Sequence, residues 1–93
     1  MENQHRKISG YRDLSVREIQ TVNTIKSIEA ELLALVKHLG EVVGAEADRA
    51  AFDNDVTVLD RIAAAEPRRW LAIAKTHIQE GASALVRAVA QPV

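Results

Sequence analysis

With 93 residues, the chain can form one small domain, and its hydrophobic core is correspondingly limited. It contains no cysteine, which excludes disulfide frameworks and thiolate metal sites. A net charge of −1, from 12 basic and 13 acidic residues, argues against bulk nucleic-acid binding through phosphate neutralisation, so DNA is not an expected partner.

Apolar residues make up 47% of the chain but aromatic ones only 3%, so its interior must be built from Ala, Val, Leu and Ile. That is a helix-rich vocabulary with little bulk. Small scaffolds without disulfides or metal commonly complete their cores by oligomerising. The polar start, MENQHRK, and the lack of an apolar run of membrane-spanning length lead to the expectation of a cytoplasmic protein with no membrane partner.

Residues 1–13 have no helical period and read as an irregular arm. They carry the chain's single tyrosine, Tyr11, and a basic cluster of His5, Arg6, Lys7 and Arg12. Two readings fit this arm. In one, Tyr11 stacks on a base and the cations meet phosphate; stacking is worth about 1–3 kcal/mol and a charge-assisted hydrogen bond about 1.5–3 kcal/mol. In the other, Tyr11 lies against the first helix and the basic residues solubilise the arm.

A long helix is expected over residues 15–43. Ser15 and Glu18 have the spacing of a capping box. Ile25, Ile28, Leu32, Leu35, Leu39 and Val42 alternate by three and four, the seam of a helix packed lengthwise on another helix. Gly44 reads as the stop. Lys26, beside Ile25, is a solvated residue unless a partner subunit brings its arm there.

Residues 44–66 read as a connector holding a short helix. Asn54 or Asp55 would cap it, Val56, Leu59 and Ile62 would form its apolar side, and Phe52 would anchor it. Pro67 suits the first turn of a last helix over residues 67–90, where a missing N–H costs little; one longer helix kinked at Pro67 is the alternative. In the last helix Trp70, Ala74, His77, Gly81, Ala84 and Ala88 form a mostly small-residue stripe, with Leu71, Ile78, Leu85 and Val89 beside it. So broad an apolar face on a short chain implies more than one helical neighbour. The expected fold is all-α: a single domain over residues 1–93, an antiparallel helical hairpin with an irregular N-terminal arm, assembled into a homo-oligomer.

Nothing points to catalysis. His5, His38 and His77 fall in separate segments without metal-ligand spacing. The stretch GASAL lacks the second glycine of a nucleophile elbow and lies within a helix. DNDVTVLDRIAA begins like a calcium loop but has Val58 where glycine is needed and Ala64 where the bidentate glutamate belongs. No catalytic residue, metal site or cofactor is therefore expected.

The two ends of the chain, HRKISGYRDLS and RWLAIAKTHIQEGASALVRAVAQP, resemble the small phage proteins that sequester cyclic-nucleotide immune signals. These anti-CBASS sponges share a helical-hairpin domain with the Thoeris anti-defence sponges. The resemblance covers the arm and both long helices. It implies a compact homohexamer that binds cyclic dinucleotides such as cyclic GMP–AMP between subunits, and cyclic trinucleotides in separate pockets, without cleaving them. Holding the messenger would let a phage evade CBASS defence in the host cytoplasm.

By the same resemblance, Tyr11 matches the base-stacking aromatic, and Lys26 the lysine that packs on the other base and reaches phosphate from a neighbouring subunit. Arg12 and His5 are adjacent candidates. Arg69, Ile73 and Thr76, on one side of the last helix, would serve the trinucleotide pocket. Two features depart from the pattern. GASAL replaces a bulkier aromatic and methionine pair, and the middle segment with Phe52 and DNDV has no clear counterpart. A sponge for cyclic ADP-ribose signals, or a structural or regulatory helical hairpin, is the alternative function.

Overall fold

The computed structural model describes residues 12–92, which form helices α1 (Val16–Phe52), α2 (Val56–Ala65) and α3 (Pro67–Ala90), with no strand among them. None of these helices is long and apolar enough to cross a membrane.

The start of α1 is the capping box expected from the sequence. The Ser15 amide donates to Glu18 Oε1 at 2.8 Å, and the Glu18 amide donates to Ser15 Oγ at 3.1 Å. Two of the amides that a helix start leaves unpaired are thereby satisfied.

The end of α1 departs from expectation. The helix runs through Gly44 to Phe52. A glycine inside a helix costs only about 1 kcal/mol relative to alanine, and the following AEADRAA is rich in helix formers. Gly44 serves close approach instead: a Cβ there would lie 2.9 Å from Arg68 Nη2. The stop comes ten residues' worth of sequence later, at Asn54, whose φ of 56° is left-handed. The Asp55 amide reaches back to the Ala50 carbonyl (2.8 Å) and the Asn54 amide to that of Ala51 (3.3 Å), a Schellman closure. Asp55 then caps α2, its Oδ1 accepting from the Val58 amide at 3.2 Å. The two adjacent polar residues thus divide the work, one ending a helix and the next starting another.

Between α2 and α3 the chain breaks at Glu66, which is left-handed with φ 50° and donates its amide to the Ile62 carbonyl. Separate helices, not one kinked helix, flank Pro67. Phe52 is 89% exposed and does not anchor α2.

The described residues divide into two compact parts, one comprising those up to Glu31 with those from Gln79 onward, the other Leu32–Ile78. In the first, Arg12, just before α1, bonds the carbonyls of Val89 and Ala90 at the end of α3, so the helices run antiparallel. In the second, Gly40 faces Leu71 and Gly44 faces Arg68, again antiparallel, and Arg61 of α2 pairs with Glu46 of α1. This is a helical-hairpin arrangement.

Half-buried positions on α1 include Val22, Ile25, Leu33, Val36, Gly40, Val43, Gly44 and Ala47. Among the described residues Ala50 alone is buried, at 4% exposure. Of the seam read from the sequence, only Ile25 belongs to this inner side; Ile28, Leu32, Leu35, Leu39 and Val42 remain 41–53% exposed. On α3 the inward positions are Leu71, Ala74, Ile78, Ala82, Val86 and Val89, while Trp70, His77, Gly81, Ala84 and Ala88 of the small-residue stripe are exposed. The chain packs the side of α1 where glycine and alanine let another helix come close, and leaves the bulkier side outside.

Candidate anion-binding cleft

Within the first compact part, Lys26 and Glu29 of α1 and Ala82, Ser83, Val86 and Arg87 of α3 line an open cleft of about 390 Å³. Its apolar floor is made by Ala82 and Val86, both half-buried. Lys26, Ser83 and Arg87 are exposed, and among the described residues none of their side chains enters a hydrogen bond or ion pair. Two cations against one carboxylate leave the lining net positive, and an ammonium, a guanidinium and a hydroxyl are all donors. Such a set has the chemistry to hold an anion.

Arg12 is placed differently. Its guanidinium forks onto Glu18, with Nη2–Oε2 at 2.6 Å and Nη1–Oε1 at 3.1 Å. Its Nε donates to the Ala90 carbonyl at 3.1 Å and Nη2 to that of Val89 at 2.9 Å. These carbonyls belong to the last turn of α3, where acceptors lack helical partners and a cation is favoured. Arg12 therefore clamps the start of one helix to the end of the other. The hydrogen bond from Arg12, with a further one from the Ser15 amide, lowers the Glu18 pKa to about 2; the same Glu18 contact raises that of Arg12.

Arg69, Ile73 and Thr76 lie on α3 in the second part. Ile73 is half-buried. The Thr76 hydroxyl donates to the Ala72 carbonyl at 3.2 Å. Arg69 sits over the Trp70 ring, 5.5 Å from its centroid, and 4.0 Å from Glu66 Oε2. The cleft described in this part, about 630 Å³, is lined by Lys37, Gly40, Glu41, Gly44, Ala45, Asp48 and Arg68 and by none of those three. Its two acids balance its two cations. His5 and Tyr11 lie outside the described residues.

A family model described as "Acb2/Tad1, hairpin domain" matches residues 5–90. The chain belongs to this family. Within it, the chain is 46% identical to Anti-CBASS protein 2 of Pseudomonas phage JBD67 over 105 aligned residues, covering 99% of this chain and 97% of that protein. The match to the Acb2/Tad1 hairpin domain runs through Phe52 and DNDV, so the middle segment, for which the sequence suggested no counterpart, is part of the family domain. Lys26 is the one candidate from the sequence that the cleft contains; Ser83 and Arg87 were not singled out. The antiparallel pairing of α1 with α3 is what brings them to Lys26, and Ser83 and Arg87 share one side of α3 at i and i+4.

Proposed function

We propose that this protein is a non-catalytic sponge for cyclic oligonucleotide immune messengers, acting in the cytoplasm of a phage-infected host so that CBASS effectors stay inactive. The observation that carries this reading is the Lys26 cleft, with its unspent donors, on a chain whose family includes a 46% identical anti-CBASS protein. Cyclic dinucleotides such as cyclic GMP–AMP are the principal ligands; Tyr11 stacks on one base and Lys26 packs on the other. Arg69, Ile73 and Thr76 would serve cyclic trinucleotides, and His5 stands with Tyr11 in the arm. Arg12 supports the dinucleotide site from its clamp on Glu18.

The functional unit is a homo-oligomer, with six copies as the resemblance implies. In a single copy the Lys26 cleft is open, whereas small-ligand pockets bury about 70–90% of their ligand. Holding a messenger at nanomolar concentration takes about 12 kcal/mol. The outer side of α1 supplies the means of association. Burying the exposed half of Ile28, Leu32, Leu35, Leu39 and Val42 is worth roughly 4–7 kcal/mol per copy, at about 1.5–3 kcal/mol for each fully buried side chain. A neighbouring copy can then close its Tyr11 arm over Lys26.

Calorimetry with cyclic GMP–AMP tests this function. Tight binding by the intact protein, recovery of unaltered ligand after denaturation, and loss of binding in the Tyr11→Ala, Lys26→Ala double variant are expected. Failure to bind any cyclic oligonucleotide would sink it. The family description pairs Acb2 with Tad1, so cyclic ADP-ribose belongs in the same competition panel. Preference for that ligand would make the protein a Thoeris sponge.

A further inference from the structure

We propose that Arg87 is a phosphate-binding residue of the Lys26 cleft, its guanidinium forking onto the non-bridging oxygens of one phosphodiester while the Ser83 hydroxyl donates to the same group. This rests on the cyclic-oligonucleotide reading of the site and adds to it the α3 side of ligand recognition.

The assignment comes from how the arginines are used. Arg12, Arg49, Arg61 and Arg69 each meet a carboxylate. Arg17, Arg68 and Arg87 meet none among the described residues, and of these three Arg87 is the one that lines the cleft with Lys26. Ser83 stands one helical turn before Arg87, so hydroxyl and guanidinium project from the same side of α3. Ala82 and Val86 beside them carry no polar side-chain group that could compete for a ligand. Glu29 is the acidic residue of the lining, and no described ion pair joins it to Arg87 or Lys26. A planar fork of donors matches the geometry of a phosphate better than an ammonium does, and the charge-assisted pair is short and strong. Lys26, across the cleft, remains available to a base or to the second phosphate.

The experiment is calorimetric titration of the intact protein with cyclic GMP–AMP at low and at physiological salt. Wild type, Arg87→Gln, Arg87→Lys and Ser83→Ala are compared, with mass and melting temperature measured for each. Arg87→Gln is expected to weaken binding about ten- to hundredfold, the equivalent of one charge-assisted hydrogen bond. Its affinity should also depend less on salt, because one screened attraction is gone. Arg87→Lys should recover part of the affinity and the full salt dependence, and Ser83→Ala should lose several-fold. Wild-type affinity and salt dependence in Arg87→Gln would overturn the assignment. If Arg87→Gln loses mass or melting temperature, Arg87→Lys decides: wild-type affinity with lysine would refute the forked contact. A wild-type protein that binds no cyclic oligonucleotide refutes the sponge reading itself, a result distinct from any difference among variants.

Discussion

On α1, the side bearing Val22, Ile25, Leu33, Val36 and Val43 is half-buried by the chain's own helices, whereas the side bearing Ile28, Leu32, Leu35, Leu39 and Val42 stays 41–53% exposed. The two sides are equally apolar, so hydrophobicity does not choose between them. What differs is size: the inner side also carries Gly40, Gly44, Ala47 and Ala50, where a crossing helix can approach the α1 backbone. Close approach gains dispersion contacts over the whole contact length. The bulky side is left for a contact outside the chain, consistent with the proposed oligomer.

The sharpest way to break this comparison is to place the same charge on adjacent residues of the two sides. Leu35→Asp is expected to dissociate the oligomer and make the melting temperature independent of protein concentration; that of wild type should rise with concentration, as linkage requires of an assembly that binds only folded chains. Val36→Asp should lower stability by at least about 2 kcal/mol and reduce helicity at every concentration, because the carboxylate enters the intrachain contact. Light scattering and circular dichroism separate the two outcomes. A monomeric wild type with a fixed melting temperature would remove the distinction between the sides.

The existence and type of each helix follow from local chemistry, and local chemistry is readable. Ser15 and Glu18 satisfy each other's amides with no help from elsewhere, and Pro67 begins α3 because its missing N–H is harmless there. Which apolar column faces inward is not local. Ile25 to Val42 is a well-formed heptad seam, but another apolar column lies beside it, and the choice depends on α3 as much as on α1. Gly44 misleads for the same reason: a stop signal and a close-approach position look alike until Arg68 is seen across from it. At the candidate cleft, Lys26 is a residue the resemblance names, while Ser83 and Arg87 need the antiparallel pairing to bring them to it.

A smaller effect is expected where the inner side begins. Glu18 is held to a pKa of about 2, below its ordinary 4.5, by Arg12 and the Ser15 amide. A depressed carboxylate contributes stability that is present in full above the unfolded value and is lost as pH falls through the folded value. Melting temperature in wild type should therefore decline between pH 4.5 and about 2 as Glu18 takes up its proton and releases Arg12. In Glu18→Gln, which has no proton to gain, the curve over that window should be flatter and start lower. Parallel curves would show that the clamp from Arg12 to the end of α3 does not contribute to closing the inner side.

The smallest expected effect tests whether α3 has the same division between sides as α1. Gly81 belongs to the exposed small-residue stripe, and no described atom lies within 4 Å of where its Cβ would be. In a helix interior an alanine is favoured over glycine by about 0.5–1 kcal/mol, because glycine loses more backbone freedom on folding. Gly81→Ala should therefore stabilise the protein by about that amount, raising the melting temperature by a few degrees without changing the oligomeric mass. Gly44→Ala should gain less, because its new methyl group must displace the end of Arg68, 2.9 Å away. A fall in melting temperature for Gly81→Ala, together with loss of mass, would place a helix of a neighbouring copy directly against Gly81. The small side of α3 would then be a packing surface between copies, and glycine would serve there as it does at Gly44, by making room.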